Sequence, residues 1–293
     1  MSLLLTASVT ALIAMPAVVR KLDRQPAPSE RAKLEMISLV VGVGSLVVAL
    51  SLCALPVLID LAGLEARGLG TRHFFPGGSV AGWISVAILG FLLITWVLAL
   101  VRHFEANRSV LRELRLTSTA QFAGVEVQVV PSDELLAMAL ANQGGVIVIS
   151  QGVIDRLDGH QLEAVVRHEQ AHIRHNHHWY LILADVVDRF LGVIPLTAKS
   201  TNALRLAVEQ WADDEAAIST GDRQLISGAM RRIAGLPPAP TIAAFAHADL
   251  LAGRIRYLED DRVPPTLTSR LLLYGVIAMG LVGTVGSLIF WAS

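Results

Sequence analysis

The chain has 293 residues, 53% of them apolar and 17% charged, and a mean hydropathy of +0.56. A soluble domain carries about 25% charged residues, so the composition points to a membrane protein with a modest water-exposed part. The net charge of −1 gives no reason to expect a nucleic-acid partner, and a single cysteine, Cys53, excludes an intrachain disulfide framework.

Four runs are long and apolar enough to cross a bilayer, for which about 20 residues suffice: residues 3–19, 37–62, 80–101 and 271–291. The first does not read as a signal peptide, because basic residues follow it and none precedes it. Arginine and lysine in short loops set orientation. Arg20, Lys21, Arg24, Arg31 and Lys33 follow the first run; Arg102, Arg108, Arg112 and Arg115 follow the third; Arg67 and Arg72 stand alone between the second and third. The expected organisation is three spans within 1–101, one cytoplasmic domain over 102–269 and a fourth span within 270–293, with both termini outside. Lysine is confined to Lys21, Lys33 and Lys199 while arginine is common, the usage of a GC-rich bacterial genome, so the expected location is a bacterial plasma membrane.

Within 102–269, the third run continues as a helix to about residue 116. Strands are expected at 125–130, ended by Pro131, and at 135–141 and 146–149 around the turn Asn142-Gln143-Gly144-Gly145. Asp158 followed by Gln161 has capping-box spacing and opens a long helix. Residues 179–196 are apolar but contain Asp185, Asp188 and Arg189. They read either as an amphipathic helix packed on the domain or the bilayer surface, or as a fifth span burdened by three ionisable groups. Two further helices are expected over 203–219 and 242–258.

The stretch 168–178 holds five of the nine histidines. His168 and His172, at i and i+4, lie on one face of a helix and can ligate one zinc ion. Glu169 is rotated off that axis and suits the general base of an H-E-x-x-H arrangement. Glu209 and Asp213 repeat the i, i+4 spacing in VEQWADDEAA. Glu209 can complete a two-His, one-Glu site, and Asp213 can fix the orientation of a ligand imidazole; an acidic solvated helix face would show the same letters. His175, His177 and His178 read as supporting or solvent-facing. Val146, Ile147, Val148 and Ile149 form either an edge strand holding an extended peptide substrate or a core strand. His247, Arg254 and Tyr257 are candidates for a donor that stabilises an oxyanion.

Together, the His168–His172 pair, the ADDEA context of Glu209 and Asp213, the lead-in GGVIVISQGVIDRL and the span layout resemble the BlaR/MecR-type integral-membrane zinc metallopeptidases. More distantly they resemble the HtpX-type membrane peptidases, whose Glu-x-x-Ala-Asp-x-x-Ala pattern is met by Glu209, Ala212, Asp213 and Ala216, with His177 matching a further histidine that often follows. The resemblance covers nearly the whole chain. It implies a mainly α membrane protein with a cytoplasmic α+β gluzincin-like domain and a small sheet, and one Zn2+ per chain. It also implies cleavage of a cytoplasmic repressor, or of the protein itself, when an outside signal arrives. Antibiotic-sensing members carry an extracellular sensor after the last span, whereas this sequence stops at Ser293. The signal is therefore expected through the 64–79 loop, the membrane or a partner. Two other functions suit the same residues: a quality-control protease of the HtpX kind, and a non-enzymatic metal-binding or transport protein built on the histidines. The scarcity of polar residues inside the spans counts against transport.

Overall fold

The computed structural model describes residues 27–61, 79–113, 118–140, 145–192, 194–234 and 243–260. Two helices among them are long and apolar enough to cross a membrane: α1 (Pro28–Leu61) and the Val80–Arg102 part of α2 (Ser79–Glu113). The expected spans at 3–19 and 271–291, and the loop at 64–78, lie outside the described residues. The two helices run antiparallel, because Gly82 at the start of α2 meets Val57 and the Cys53 carbonyl near the end of α1. A β-carbon at Gly82 would sit 2.4 Å from Val57 Cγ2, so glycine sets the closeness of this pair.

The sheet follows α2. β1 (Ser118–Phe122) and β2 (Val125–Val130) form a hairpin whose two loop residues, Ala123 and Gly124, both have positive φ, as a type I′ turn requires. β3 (Ala137–Leu140) and β4 (Val146–Ser150) pair antiparallel, and β4 pairs parallel to β2, giving the order β1-β2-β4-β3. This order decides between the two readings of 146–149 in favour of a core strand. Ile147, Val148, Ile149 and Ser150 are interior and buried, and β3 is the edge. Strand β1 was not expected, since a two-residue turn with alanine at positive φ carries no usual turn signal.

Helix α3 (Gln151–Arg156) starts directly from β4 with Ser150 as N-cap. The Ser150 hydroxyl donates to the Glu134 carbonyl and accepts from the Leu136 amide, tying the segment before β3 to the start of α3. Helix α4 (Gly159–Arg174) opens with the expected capping box: Asp158 Oδ1 accepts from the Gln161 amide at 3.0 Å and Gln161 Oε1 from the Asp158 amide at 3.4 Å. Its apolar face, Leu162 and Val166, packs with Val127, Val129, Ile147 and Ile149 of the sheet.

The histidine stretch is not one helix. It breaks at His175 and Asn176, and Asn176 takes the left-handed conformation at φ 53°, which asparagine tolerates better than most residues. Helix α5 (His177–Leu191) then folds back along α6 (Pro195–Thr220). Asp188 accepts from Thr201 and from Arg205 Nη1, while Asp185 accepts from Arg205 Nη2. The acidic residues of the ambiguous 179–196 stretch therefore serve a helix packed on the domain, and that stretch is not among the candidate spans. Helices α7 (Arg223–Ala234) and α8 (Ala243–Glu259) close the other side of α4 and α6 through Ile226, Met230 and Leu258. Helix α1 joins the same core: Ala32 and Leu39 are buried with Ala184, Val187, Leu204, Ala207, Val208 and Trp211.

Gly152, in the first turn of α3, supports the loop that carries β3. Its amide donates to the Ser132 carbonyl, and an added β-carbon would lie 2.4 Å from the Asp133 carbonyl oxygen. Gly152→Ala is expected to cost about 1–3 kcal/mol, the scale of forced overpacking. Gly159→Ala, where a β-carbon meets nothing within 4 Å, is expected to be neutral or slightly stabilising. Thermal unfolding of the two variants in detergent checks the pair; equal midpoints would contradict the close approach.

Candidate metal centre

Helices α4 and α6 face each other with their i, i+4 pairs. His168 and His172 on α4 meet Glu209 on α6, and one ligand atom from each lies within 4.8 Å of the others. The Nε2 atoms of the two histidines are 3.1 Å apart, and Glu209 oxygens lie 3.5 Å from His168 Nε2 and 3.6 Å from His172 Nε2. A tetrahedral zinc ion with bonds of about 2.0–2.1 Å needs ligand atoms about 3.3 Å apart, so the three donors already have the spacing of a zinc face.

The ring nitrogens turned away from this point have partners of their own. His168 Nδ1 is 2.9 Å from Asp213 Oδ1 and donates to it. His172 Nδ1 is 3.0 Å from His177 Nδ1. These partners leave both Nε2 lone pairs aimed at one place beside a carboxylate, an arrangement that favours a cation. His177 is fully buried and thus supports His172; it does not face solvent. His175 Nε2 lies 3.2 Å from Glu215 Oε1, on the far side of Trp211, and takes no part in the triad. His178 lines the cleft next to the site.

Arg254 reaches in from α8. Its Nε and Nη2 donate to the two oxygens of Asp213 at 2.9 and 2.7 Å, and its Nη1 lies 2.8 Å from Glu209 Oε2. This bidentate grip makes Arg254 a clamp on two carboxylates at the cavity wall. The Tyr257 hydroxyl is engaged away from the triad: it donates to Asp214 Oδ2 at 2.6 Å under the Arg223 guanidinium. The side chain of His247 lies outside the described residues. One sequence signal for Arg254 exists, because it falls in the stripe Leu250, Leu251, Ile255 and Leu258 of its helix, where a charge must be paired.

Burial and Arg254 oppose a charge on His168, but its hydrogen bonds to Asp213 and Glu209 outweigh them and hold its pKa up at about 9. Burial and the neighbouring His168 drive His172 down to about 4. Burial favours a neutral Glu209 and a neutral Asp213, yet Arg254 and the imidazoles pull both below the usual carboxylate range. Glu169 is pushed up by burial, against the pull of His168 and of the Ala139 backbone amide.

A cavity of about 540 Å³ opens over these groups. Met138 and Ala139 of β3 form one wall, and Ala229, Met230, Leu250 and Leu251 are among the apolar residues of the rest. Leu136 pairs with Ser150 through its carbonyl, so Met138 and Leu140 also turn their backbone groups toward β4, and Ala137 and Ala139 turn theirs to the free edge. Glu169 sits at that edge.

A site of two imidazoles and a carboxylate at zinc spacing, beside a half-buried glutamate and a strand edge, is the equipment of a metallopeptidase. Residues 103–233 match the model of the family described as Peptidase family M48. The match supports a membrane-type metallopeptidase; it contains His168, Glu169, His172, Glu209 and Asp213, whereas Arg254 lies beyond it. No curated protein and no solved structure matches the chain.

Two outcomes follow from the site. Asp213→Asn should weaken zinc affinity about 10- to 100-fold, the usual cost of losing a carboxylate behind a ligand histidine. Asp214→Asn, one residue away but bound to Tyr257, should leave affinity unchanged in competition with a chromophoric chelator. Adding zinc to metal-stripped protein at pH 7 should release about one proton per ion, because His168 is protonated below about 9 while His172 and Glu209 are already free of protons. Affinity should rise with pH and level off above about 9. Calorimetry in buffers of different ionisation enthalpy reads this directly; a constant heat across buffers would contradict it.

Proposed function

We propose that the protein is a zinc-dependent endopeptidase of a bacterial plasma membrane, with its catalytic side in the cytoplasm. The observation that carries this reading is the convergence of His168, His172 and Glu209 at zinc spacing next to Glu169. A zinc ion held there supplies Lewis acidity, polarising a carbonyl and acidifying water. Glu169, half-buried and with a raised affinity for protons, is suited to take a proton and return it to the leaving amine. The outward-facing backbone groups of Ala137 and the Ala139 carbonyl are suited to pair with an extended substrate segment, one of the two roles the sequence allowed for 146–149.

The substrate reading drawn from the resemblance is a cytoplasmic transcriptional repressor, or the protein itself, cleaved in signalling. One observation favours the quality-control alternative. The cleft walls away from the metal are almost wholly apolar, which suits apolar segments exposed by misfolded or membrane proteins.

Glu169→Gln keeps the shape of the site and removes the base. It is expected to retain zinc and to lower peptide cleavage by at least about 100-fold, the lower range for general base catalysis. Cleavage at the wild-type rate would refute the proposal. Quantitative proteomics of cells carrying either form separates the substrate readings: one stabilised repressor supports signalling, and many stabilised membrane proteins support quality control.

A further inference from the structure

Behind His172 lies an aromatic cluster that reaches α1, a candidate membrane helix. Trp211 is buried on α6 between Glu209 and Asp213 in sequence, on the face away from them. Its ring packs on His175 with centroids 4.5 Å apart and on His177 at 4.7 Å, and meets Tyr180 edge-on at 6.1 Å. His177 in turn contacts His172 at 4.9 Å between rings and through the Nδ1–Nδ1 hydrogen bond. Lys33 of α1 places its Nζ 5.1 Å from the centroid of the same indole, the geometry of a cation–π contact. Ala32 packs fully buried in the same cluster.

A side chain wedged in this way fixes two things at once. It sets the distance between α6, which carries Glu209, and the turn at His175–Asn176, which carries His177. It also couples both to α1. The rings of this cluster are stiff and closely packed, so a shift of α1 cannot be absorbed by flexible side chains alone.

We propose that Trp211 is a positioning residue for the metal centre and that α1 holds it through Lys33, so that the seating of α1 on α6 sets how firmly His172 is held on the metal. This rests on the zinc reading of the site. It makes a candidate membrane span part of the metal site's support.

The test uses the full-length protein in detergent, loaded with zinc and challenged with a chelator. Lys33 is exposed, so Lys33→Met does not threaten the fold. It is expected to speed zinc loss about two- to fivefold, the scale of one exposed cation–π contact, and Lys33→Arg is expected to restore the wild-type rate. Trp211→Leu is expected to speed zinc loss at least about tenfold, as for other outer supports of a ligand, and Trp211→Phe to fall between. The emission change that zinc produces in the wild type should vanish in Trp211→Phe although zinc still binds. Zinc loss at the wild-type rate in Lys33→Met, or no rescue by Lys33→Arg, overturns the coupling. His172→Ala serves as the reference for a lost ligand, and a wild type that binds no zinc overturns the metallopeptidase reading and this inference with it.

Discussion

Asp213 is fully buried and Glu209 half-buried beside it, with one guanidinium, Arg254, bridging them. Two negative charges and one positive charge leave an imbalance that a low-dielectric interior does not tolerate unpaired. The protein's own groups answer it by raising the proton affinity of His168, and a divalent cation answers it more completely. The carboxylates stay ionised despite burial because Arg254 and the imidazoles offset its cost. The same balance explains why Arg254 is held so closely: removing it would strand two charges. The arrangement of α4, α6 and α8 is organised around that charge balance.

Geometry then divides the labour among the helices. Helix α4 offers two imidazoles at i and i+4, and α6 answers with a ligand and an orienting carboxylate at the same spacing. Helix α4 also lies against the sheet, which places Glu169 at the free edge of β3. One helix therefore carries His168, Glu169 and His172 and lies beside the candidate peptide-binding edge. On its other side the site backs onto α5, α6 and α1. The start of α1, one of the two candidate membrane helices, is part of the core around the site.

The long helices and the triad were legible because they rest on local rules: a capping box, two i, i+4 pairs and an apolar period. Strand β1 and the shorter helices α3 and α7 were not expected, and other features depend on tertiary placement. The interior place of β4 depends on strand order, which its run of Val and Ile cannot reveal, since a fully buried strand and a half-buried edge share those letters. The break at Asn176 was visible in principle, because asparagine is the commonest residue after glycine in a left-handed helix stop, but the dense histidines drew the helix onward. The grip of Arg254 on Asp213 spans 41 residues and depends on how α8 packs, though its position on an apolar stripe marked it as a paired charge. Tyr257, three residues further on, points to Asp214 for the same reason of helical phase.

The central claim is that the histidine-rich stretch contributes to one defined zinc site completed by Glu209, and not to a diffuse metal store. X-ray absorption at the zinc edge, with metal counting on the purified full-length protein, tests it most directly. The account predicts one zinc ion per chain with nitrogen and oxygen ligands at about 2.0–2.1 Å, two imidazoles in the outer scattering, and loss of the ion in Glu209→Ala. Several ions per chain, or a spectrum with three or more imidazoles that persists in Glu209→Ala, would contradict it.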